Sequence, residues 1–211
     1  MSTTSTYYAN AADGYMYSQN ATYATARSTY GGGSLDNASV VLAIGQRKTG
    51  GPVYLCYEGF IYFNTSDIPD DNIIESATLS LWTLEDDSLS DFTTEARLHT
   101  WSGGGLTSAD WVAGADMSGK TLLATFASAA YANEVYNAFT SEAAFLSSIS
   151  KTGNTEILLC SKQQTDNTTP TQDEYIVWYS ADMPGQQPKL VVVHSVPAVP
   201  FSCVINTSSV A

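Results

Sequence analysis

The sequence predicts an all-β fold, an antiparallel β-sandwich of the jelly-roll type with one or two short peripheral helices. Several short stretches alternate apolar and polar residues with the period of two that is typical of half-buried strands. Turn-rich loops, rather than long helices, separate these stretches. The chain also contains 13 Tyr and 4 Trp among many Ser, Thr, Asn and Gly residues, a composition that favours strands and turns.

The expected strands are short and are bounded by turn residues. The clearest of them has Ala77, Leu79 and Leu81 on one face and polar or aromatic residues on the other. Another strand contains Gly59, which suggests a bulge or bend at that point. The full set covers residues 40–44, 53–63, 77–82, 96–101, 156–160, 174–180 and 189–194.

Two helices are expected at the periphery of the sandwich. Residues 108–111 have the pattern of a single capped helical turn. Residues 140–149 have the pattern of a longer helix, because Phe145, Leu146 and Ile149 fall on one side of it. Neither segment is long enough to build a helical layer of its own.

The chain divides into one domain and two terminal segments. Its 211 residues fit a single β-sandwich, which we place at residues 13–194. Residues 1–12 are small and polar and are expected to form an N-terminal arm. Residues 195–211 extend past the last strand, and we expect them to dock on a neighbouring subunit. The apolar residues of this C-terminal arm are Val196, Val199, Phe201, Val204 and Ile205.

The charge and hydropathy of the chain argue against two classes of partner. With 21 acidic against 8 basic residues the formal net charge is −13, which repels a polyphosphate backbone, so no nucleic acid is expected to bind. The apolar stretches are far shorter than the roughly 20 residues of a membrane-spanning helix, so no membrane span is expected. The first eight residues lack the basic and apolar regions of a secretory signal, which favours a chain not exported by that route.

The three cysteines, Cys56, Cys160 and Cys203, are more than forty residues apart. Their spacing matches no zinc site, and any disulfide leaves one of them unpaired. We expect them to be small buried hydrophobic residues. A bridge between Cys56 and Cys160 is the alternative.

Three motifs are spread over the expected domain. The first is Ala12-Asp13-Gly14-Tyr15, and the last is Pro188-Lys189-Leu190-Val191-Val192. The most specific lies between them, where Phe63-Asn64-Thr65-Ser66-Asp67-Ile68-Pro69 is followed by Ser76-Ala77-Thr78-Leu79-Ser80-Leu81. With these motifs the chain resembles DNRLRE-type domains, which are jelly-roll modules similar to carbohydrate-binding modules.

The resemblance implies a binding or adhesive role. Domains of this family occur on secreted enzymes, on cell surfaces and on phage particles, and they have no agreed catalytic set. Two positions depart from the family's pattern, because Asn64 replaces an Asp and Tyr62 replaces a residue that is commonly basic. An ion pair that relatives make at these positions is therefore not expected here.

These features lead us to expect a non-enzymatic structural or adhesion protein of a phage virion surface, such as a capsid decoration or tail-associated subunit. Its partners are expected to be other virion proteins and further copies of itself. The alternative is an extracellular carbohydrate-binding module of a secreted polysaccharide-active protein, which binds a glycan. A third hypothesis is a glycan hydrolase or lyase that uses loop carboxylates, since such enzymes need only two acids across a cleft.

No motif of an established catalytic centre occurs in the sequence. The two histidines, His99 and His194, lie near the ends of expected strands and are interpreted as structural or surface residues. Most acidic residues lie in expected turns, where aspartate commonly caps and solubilises. The acids that a hydrolase would draw on are Asp70, Asp71, Glu85, Asp86, Asp87, Asp91, Asp173, Glu174 and Asp182.

Two kinds of ligand are nevertheless conceivable from the residue types. Trp101 and Trp111 flank a glycine-rich loop and are the candidates for stacking against a sugar ring, whereas Trp82 and Trp178 are expected in the core or between the sheets. Tyrosines could extend a sugar platform, and the candidates are Tyr15, Tyr17, Tyr23 and Tyr30. No cofactor is required, but a structural calcium ion could bind among Asp13, Asp36 and Asp182.

Overall fold

The computed structural model describes residues 1–101 and 105–198 and consists mainly of antiparallel strands. The strands are β1 (Ser2–Tyr8), β2 (Gly14–Asn20), β3 (Ser34–Asp36), β4 (Val41–Lys48), β5 (Tyr54–Asn64), β6 (Ile73–Asp86), β7 (Thr93–Leu98), β8 (Leu122–Ala127), β9 (Tyr136–Ala138), β10 (Thr140–Ser141), β11 (Asn154–Ser161), β12 (Glu174–Tyr179) and β13 (Lys189–Ser195). The helices are α1 (Tyr23–Ser28), α2 (Gly114–Met117), α3 (Ala143–Ser148) and α4 (Lys162–Thr165), with 3-10 turns at Ser108–Asp110 and Ser128–Ala130. The expected all-β class is confirmed.

The strands form one curled sheet that forks at β5. Along its main path the order is β1-β13-β6-β12-β4-β5-β11-β7-β8-β10. Strand β2 pairs with one edge of β5, while β4 and β11 pair in turn with the other edge, β4 with the first half and β11 with the second. The two branches that leave β5 face each other, and the main core contains residues of both, such as Leu42 and Trp178 of one and Leu123 and Leu159 of the other.

Two glycines allow the sheet to fork. Gly45 has a φ of +135°, and a Cβ at this position would lie 2.1 Å from the carbonyl oxygen of Glu174. At Gly45 the pairing of β4 with β5 ends, and the rest of β4 pairs with β12 alone. The side chain of Ile44 on β4 then lies over β5 so closely that a Cβ on Gly59 would be 2.3 Å from Ile44 Cδ1. Of the bulge or bend suggested at Gly59, the bulge is wrong, because β2 pairs with β5 through this residue, and β11 up to it, without a register shift.

The apolar face predicted for β6 is confirmed. Ala77, Leu79 and Leu81 are all buried in the main core, and Trp178 on β12 is fully buried with them. Trp82 is on the opposite face of β6, half-buried, with its ring 5.0 Å from that of Tyr136. Burial of this core supplies the main stabilisation of the fold, at about 25 cal/mol for each Å² of apolar surface removed from water.

Both expected helical segments form, one of them shorter than expected. The capped turn is at Ser108–Asp110, where Thr107 and Asp110 form a capping box. The expected helix at residues 140–149 begins only at Ala143, because Thr140 and Ser141 pair with β8 as a short strand. None of the helices within residues 1–101 and 105–198 combines the length and the apolar character that a membrane crossing requires.

The cysteines confirm the expectation of buried hydrophobic residues as far as the structure describes them. Cys56 and Cys160 are both fully buried and free, so the alternative of a bridge between them is wrong. Cys160 packs with Met16 and Leu158 in a second apolar cluster, whereas Cys56 packs with residues of α1 in a third. Cys203 is outside the described residues.

The two terminal segments differ from each other. Residues 1–12 were expected to form an arm, but Ser2–Tyr8 form an edge strand that pairs along the whole length of β13. Their Ser, Thr and Tyr residues suit an edge strand, because one face of the strand and its unpaired backbone groups are exposed to water. At the other end, Val196 is exposed after β13, and Val199, Phe201, Val204 and Ile205 are outside the described residues.

Candidate functional site

The two tryptophans expected to stack on a sugar are not exposed side by side. Trp101 retains only 6% of its surface and packs edge-on against Phe60 at 6.0 Å and Tyr62 at 5.6 Å. Trp111 is half-buried, with its ring 6.0 Å from that of Tyr30. Both belong to the second apolar cluster, which fills the space between the outer face of β5 and β11 and the loop that crosses it. The expectation of an exposed Trp101 is therefore wrong, because its ring is packed inside this cluster.

A row of tyrosines runs across four strands on another face. Tyr17 on β2 pairs with Tyr57 on β5, which pairs with Gly45 on β4, which in turn pairs with Tyr175 on β12. Since Gly45 has no side chain, Tyr57 and Tyr175 stack across it with their ring centroids 5.4 Å apart. Arg47 lies 5.3 Å from the centroid of the Tyr175 ring.

The side chains of the tyrosine row contact one another and their neighbours, which leaves little of their surface free for a ligand. Tyr57 keeps only 8% of its surface, and burial raises its pKa. Arg47 is held by Asp173 at 3.2 Å. The row thus rigidifies the point where β4 leaves β5. Among its members only Tyr17 stood among the candidates from sequence; Tyr57 and Tyr175 were missed because strand pairing, not sequence distance, brings them together.

The three aspartates expected to bind calcium do not form a metal site. Among residues 1–101 and 105–198 no three His, Cys, Asp or Glu side chains cluster in a way that could hold a metal ion. Asp36 accepts a hydrogen bond from the backbone N–H of Ala38 at 3.1 Å. Asp182 is half-buried after β12. Of the three, Asp13 and Asp182 are close enough for their charges to interact, but the three do not come together as a group, so the expectation of a calcium site among them is corrected.

Asp13 is nevertheless unusual, because it is 1% exposed. Its Oδ2 accepts the backbone N–H of Ala181 at 2.8 Å, and its Oδ1 has no hydrogen-bond partner in the part of the chain that the structure describes. Burial raises the pKa of Asp13 to about 7, the Ala181 hydrogen bond opposes this rise, and the nearby charge of Asp182 adds to it. This carboxyl group is thus protonated below neutral pH in the folded protein.

The histidines are tied to structural partners. His194 is buried on β13, where its Nδ1 accepts a hydrogen bond from Asn72 Nδ2 at 2.7 Å. Because the amide nitrogen can only donate, His194 Nε2 must carry the proton and donate to Ser5 Oγ at 3.1 Å. His99 Nδ1 lies 2.8 Å from Lys120 Nζ, and burial together with that positive charge lowers the pKa of His99.

Buried acids also serve the fold. Glu95 and Arg97 form a buried ion pair at 2.8 Å. Glu58 is fully buried on β5, its Oε2 accepts the backbone N–H of Val112 at 3.1 Å, and burial raises its pKa well above the ordinary value. The backbone hydrogen bond ties the loop that follows Trp101 to β5. These groups anchor loops and strands to one another.

An open groove lies between the first half of β6 and helix α3. It consists of two adjoining cavities of about 510 and 250 Å³ that share Leu146, and we call the whole the β6–α3 groove. Its residues come from the loop before β6, from β6, from β10, and from α3 and the loop after it. They are Asp71, Asn72, Ile73, Ile74, Glu75, Ser76, Ala77, Thr78, Ser141, Glu142, Ala143, Leu146, Ser147, Ile149 and Lys151.

One wall of the groove is an open sheet edge. Strand β6 pairs with β13 on one side from Ile73 onward, but on the other side β9 pairs only with residues 80–82. Phe139 donates its backbone N–H to the carbonyl of Leu79, and the hydroxyl of Ser141 donates to the carbonyl of Ala77. Before Ala77 no strand within residues 1–101 and 105–198 pairs with this edge. The groove was not predicted from the sequence, because an edge of β6 is open only as a result of which strands become its neighbours in the sheet.

The C-terminal segment leaves the sandwich beside this groove. Ser195, the last residue of β13, pairs with Ile73, and its Oγ donates a hydrogen bond to Glu75 Oε1. Ile73 and Val196 are exposed by 55% and 68%. An exposed pair of aliphatic residues at the point where the chain leaves the domain is a feature of contact surfaces.

Comparison of the sequence with models of protein families and with curated proteins gives no match.

Proposed function

We propose that this protein is a non-enzymatic structural or adhesion component of a phage virion surface, and that it attaches to its neighbours through its C-terminal segment. The observation that carries the proposal is the position of that segment. It leaves β13 at Ser195, opposite Ile73 of β6, and the other edge of β6 is open there and lies beside an apolar side of α3. Edge strands and apolar grooves are the surfaces through which strands of partner chains add to a sheet.

The buried polar groups support a role without catalysis. A general acid needs a raised pKa and access to substrate. The carboxyl group of Glu58 has a raised pKa but is fully buried. Glu75 lines the groove and is exposed, but its hydrogen bond from Ser195 lowers its pKa, the opposite of what a general acid requires.

The alternative of a carbohydrate-binding module is less well supported, because it relied on two exposed tryptophans. Trp101 is buried, and the tyrosine row presents rings that already pack on one another. The virion proposal draws on the resemblance to DNRLRE-type domains and on the composition of the chain, in which only 14% of the residues are charged and most of these are acidic. A fold of this type serves many functions, so the choice depends on the contact surfaces rather than on the fold.

Light scattering after size-exclusion chromatography tests the attachment. The full chain is expected to form a discrete oligomer, and a chain ending at Ala198 is expected to be a monomer that keeps every described strand. The matched control ends at Ile205, because it loses only the mostly polar residues 206–211 and is expected to remain oligomeric. A full chain that is monomeric at all concentrations contradicts the proposal and favours the isolated module.

The virion location has a separate test. Antibodies against the purified protein are expected to label the surface of the phage particles whose genome encodes it, as seen by electron microscopy. Labelling absent from intact particles contradicts the location, even if the protein forms oligomers.

A further inference from the structure

We infer that the β6–α3 groove is the binding site for the C-terminal segment of this same protein, residues 199–211. The inference rests on the proposed function in one respect, since it names the surface on which the proposed docking segment binds. The groove combines an open edge of β6, which offers backbone hydrogen bonds, with the apolar side chains of Ile73, Leu146 and Ile149. An extended segment that alternates apolar and polar residues satisfies both parts at once.

The sequence of the C-terminal segment fits such a groove. Residues 196–211 contain no charged residue in a chain whose net charge is −13. Within them, Phe201, Cys203 and Ile205 recur at every second position, which would place them on one face of an extended strand; Ser202 and Asn206 on the other face are polar, whereas Val204 is apolar. An uncharged segment can lie beside Glu75 and Asp71 without repulsion, which an acidic one could not.

The distances are compatible with docking. A strand added to the open edge of β6 would lie about 10 Å from β13, because two strand spacings of roughly 4.8 Å would separate them. Residues 196–200 can span about 16 Å when extended, at roughly 3.3 Å per residue. The strand-like part of the segment can therefore begin at the groove of its own copy or continue to that of a neighbour. The two prolines at 197 and 200 confine the hydrogen-bonding part to the residues that follow them.

Disulfide trapping in the full-length protein tests the inference, because Cys203 is a natural probe. Cys56 and Cys160 are buried and do not compete. A second thiol is introduced by Ser147→Cys on the helix wall of the groove or by Ser76→Cys on its strand wall, both at exposed positions. Two opposite walls are used because a disulfide needs Cα atoms about 5.5 Å apart and Cys203 can face only one of them.

The matched control is Ser28→Cys, an exposed position on α1, which packs against β2 and β5 away from the groove. Docking raises the local thiol concentration from micromolar to millimolar, so cross-linking at one groove position should be about a hundredfold faster or more than at Ser28→Cys. Peptide mass spectrometry identifies the bond to Cys203, and Cys203→Ser should abolish it. Equal rates at Ser147→Cys, Ser76→Cys and Ser28→Cys overturn the inference.

The size of the cross-linked product separates this inference from the proposed function. A product of two chains on a non-reducing gel shows that the segment binds the groove of a neighbouring copy and supports both. A product of one chain supports the groove as the binding site and contradicts attachment between copies. An oligomer that depends on residues 199–211 but gives no groove cross-link supports attachment and overturns the groove.

Discussion

Replacing Asp13 by Asn is expected to change how the stability of the protein depends on pH. Asp13 is almost completely buried, and only one of its oxygens is bound, by the N–H of Ala181. Burial raises its pKa from the ordinary 3.8 to about 7. The unfolded chain therefore loses this proton near pH 4, whereas the folded chain keeps it until near pH 7. Stability from this group is fully present below pH 4 and is lost as pH rises through 7.

The size of the effect follows from the pKa change. Each pKa unit corresponds to about 1.4 kcal/mol, so the parent protein should lose about 4 kcal/mol of unfolding free energy between pH 4 and pH 8 from Asp13 alone. The Asp13→Asn variant has no such proton to lose. Its side-chain oxygen can still accept from Ala181, while its buried amide N–H₂ adds a cost of about 1–3 kcal/mol that does not vary with pH.

Urea denaturation followed by tryptophan fluorescence at several pH values between 4 and 8 measures this difference. The stability of Asp13→Asn relative to the parent should rise by up to about 4 kcal/mol across this range. Asp182→Asn is the control, because it removes a secondary cause of the raised pKa and should reduce the pH dependence of the parent without abolishing it. A relative stability that varies by less than about 1 kcal/mol across the range refutes the reasoning.

Three further predictions concern the fold, and each is measured by urea or thermal denaturation. Gly59→Ala should cost about 1–3 kcal/mol, because its Cβ would lie 2.3 Å from Ile44 Cδ1. Arg97→Met should cost about 3–5 kcal/mol by leaving Glu95 buried without its partner, and adding Glu95→Gln should recover part of that loss. Trp101→Ala should cost about 3–5 kcal/mol, whereas a change within about 0.5 kcal/mol would mean that this ring lies on the surface.

Much of the fold could be predicted because its signals are local. The alternation of Ala77, Leu79 and Leu81 records one buried face of β6, and the structure buries all three. The Thr107–Asp110 capping box likewise specifies a turn within four residues. Short strands such as β9 and β10 were not predicted, since two or three residues carry no period and form only because neighbouring strands are present.

The contact surfaces could not be predicted, because they depend on which strands become neighbours. Gly59 suggested a bulge or bend, but its lack of a side chain makes room for the side chain of Ile44 on the neighbouring strand. Tyr57 and Tyr175 are 118 positions apart in the chain and stack only because the intervening strand has a glycine between them. Trp101 looked exposed beside a glycine-rich loop, but its ring packs with Leu106 and Val112 in the second apolar cluster.

The proposed contact through the open edge of β6 would leave little functional signal in the sequence. Strand addition uses backbone N–H and C=O groups, and every residue except proline supplies both. The side chains need only form an apolar face without charge. The segment after Ser195 meets that requirement, because it has no charged residue and carries Phe201, Cys203 and Ile205 at every second position. Catalysis, in contrast, requires particular side chains at fixed distances and leaves motifs. The proposed contact through the edge of β6 therefore needs no signature motif in the sequence.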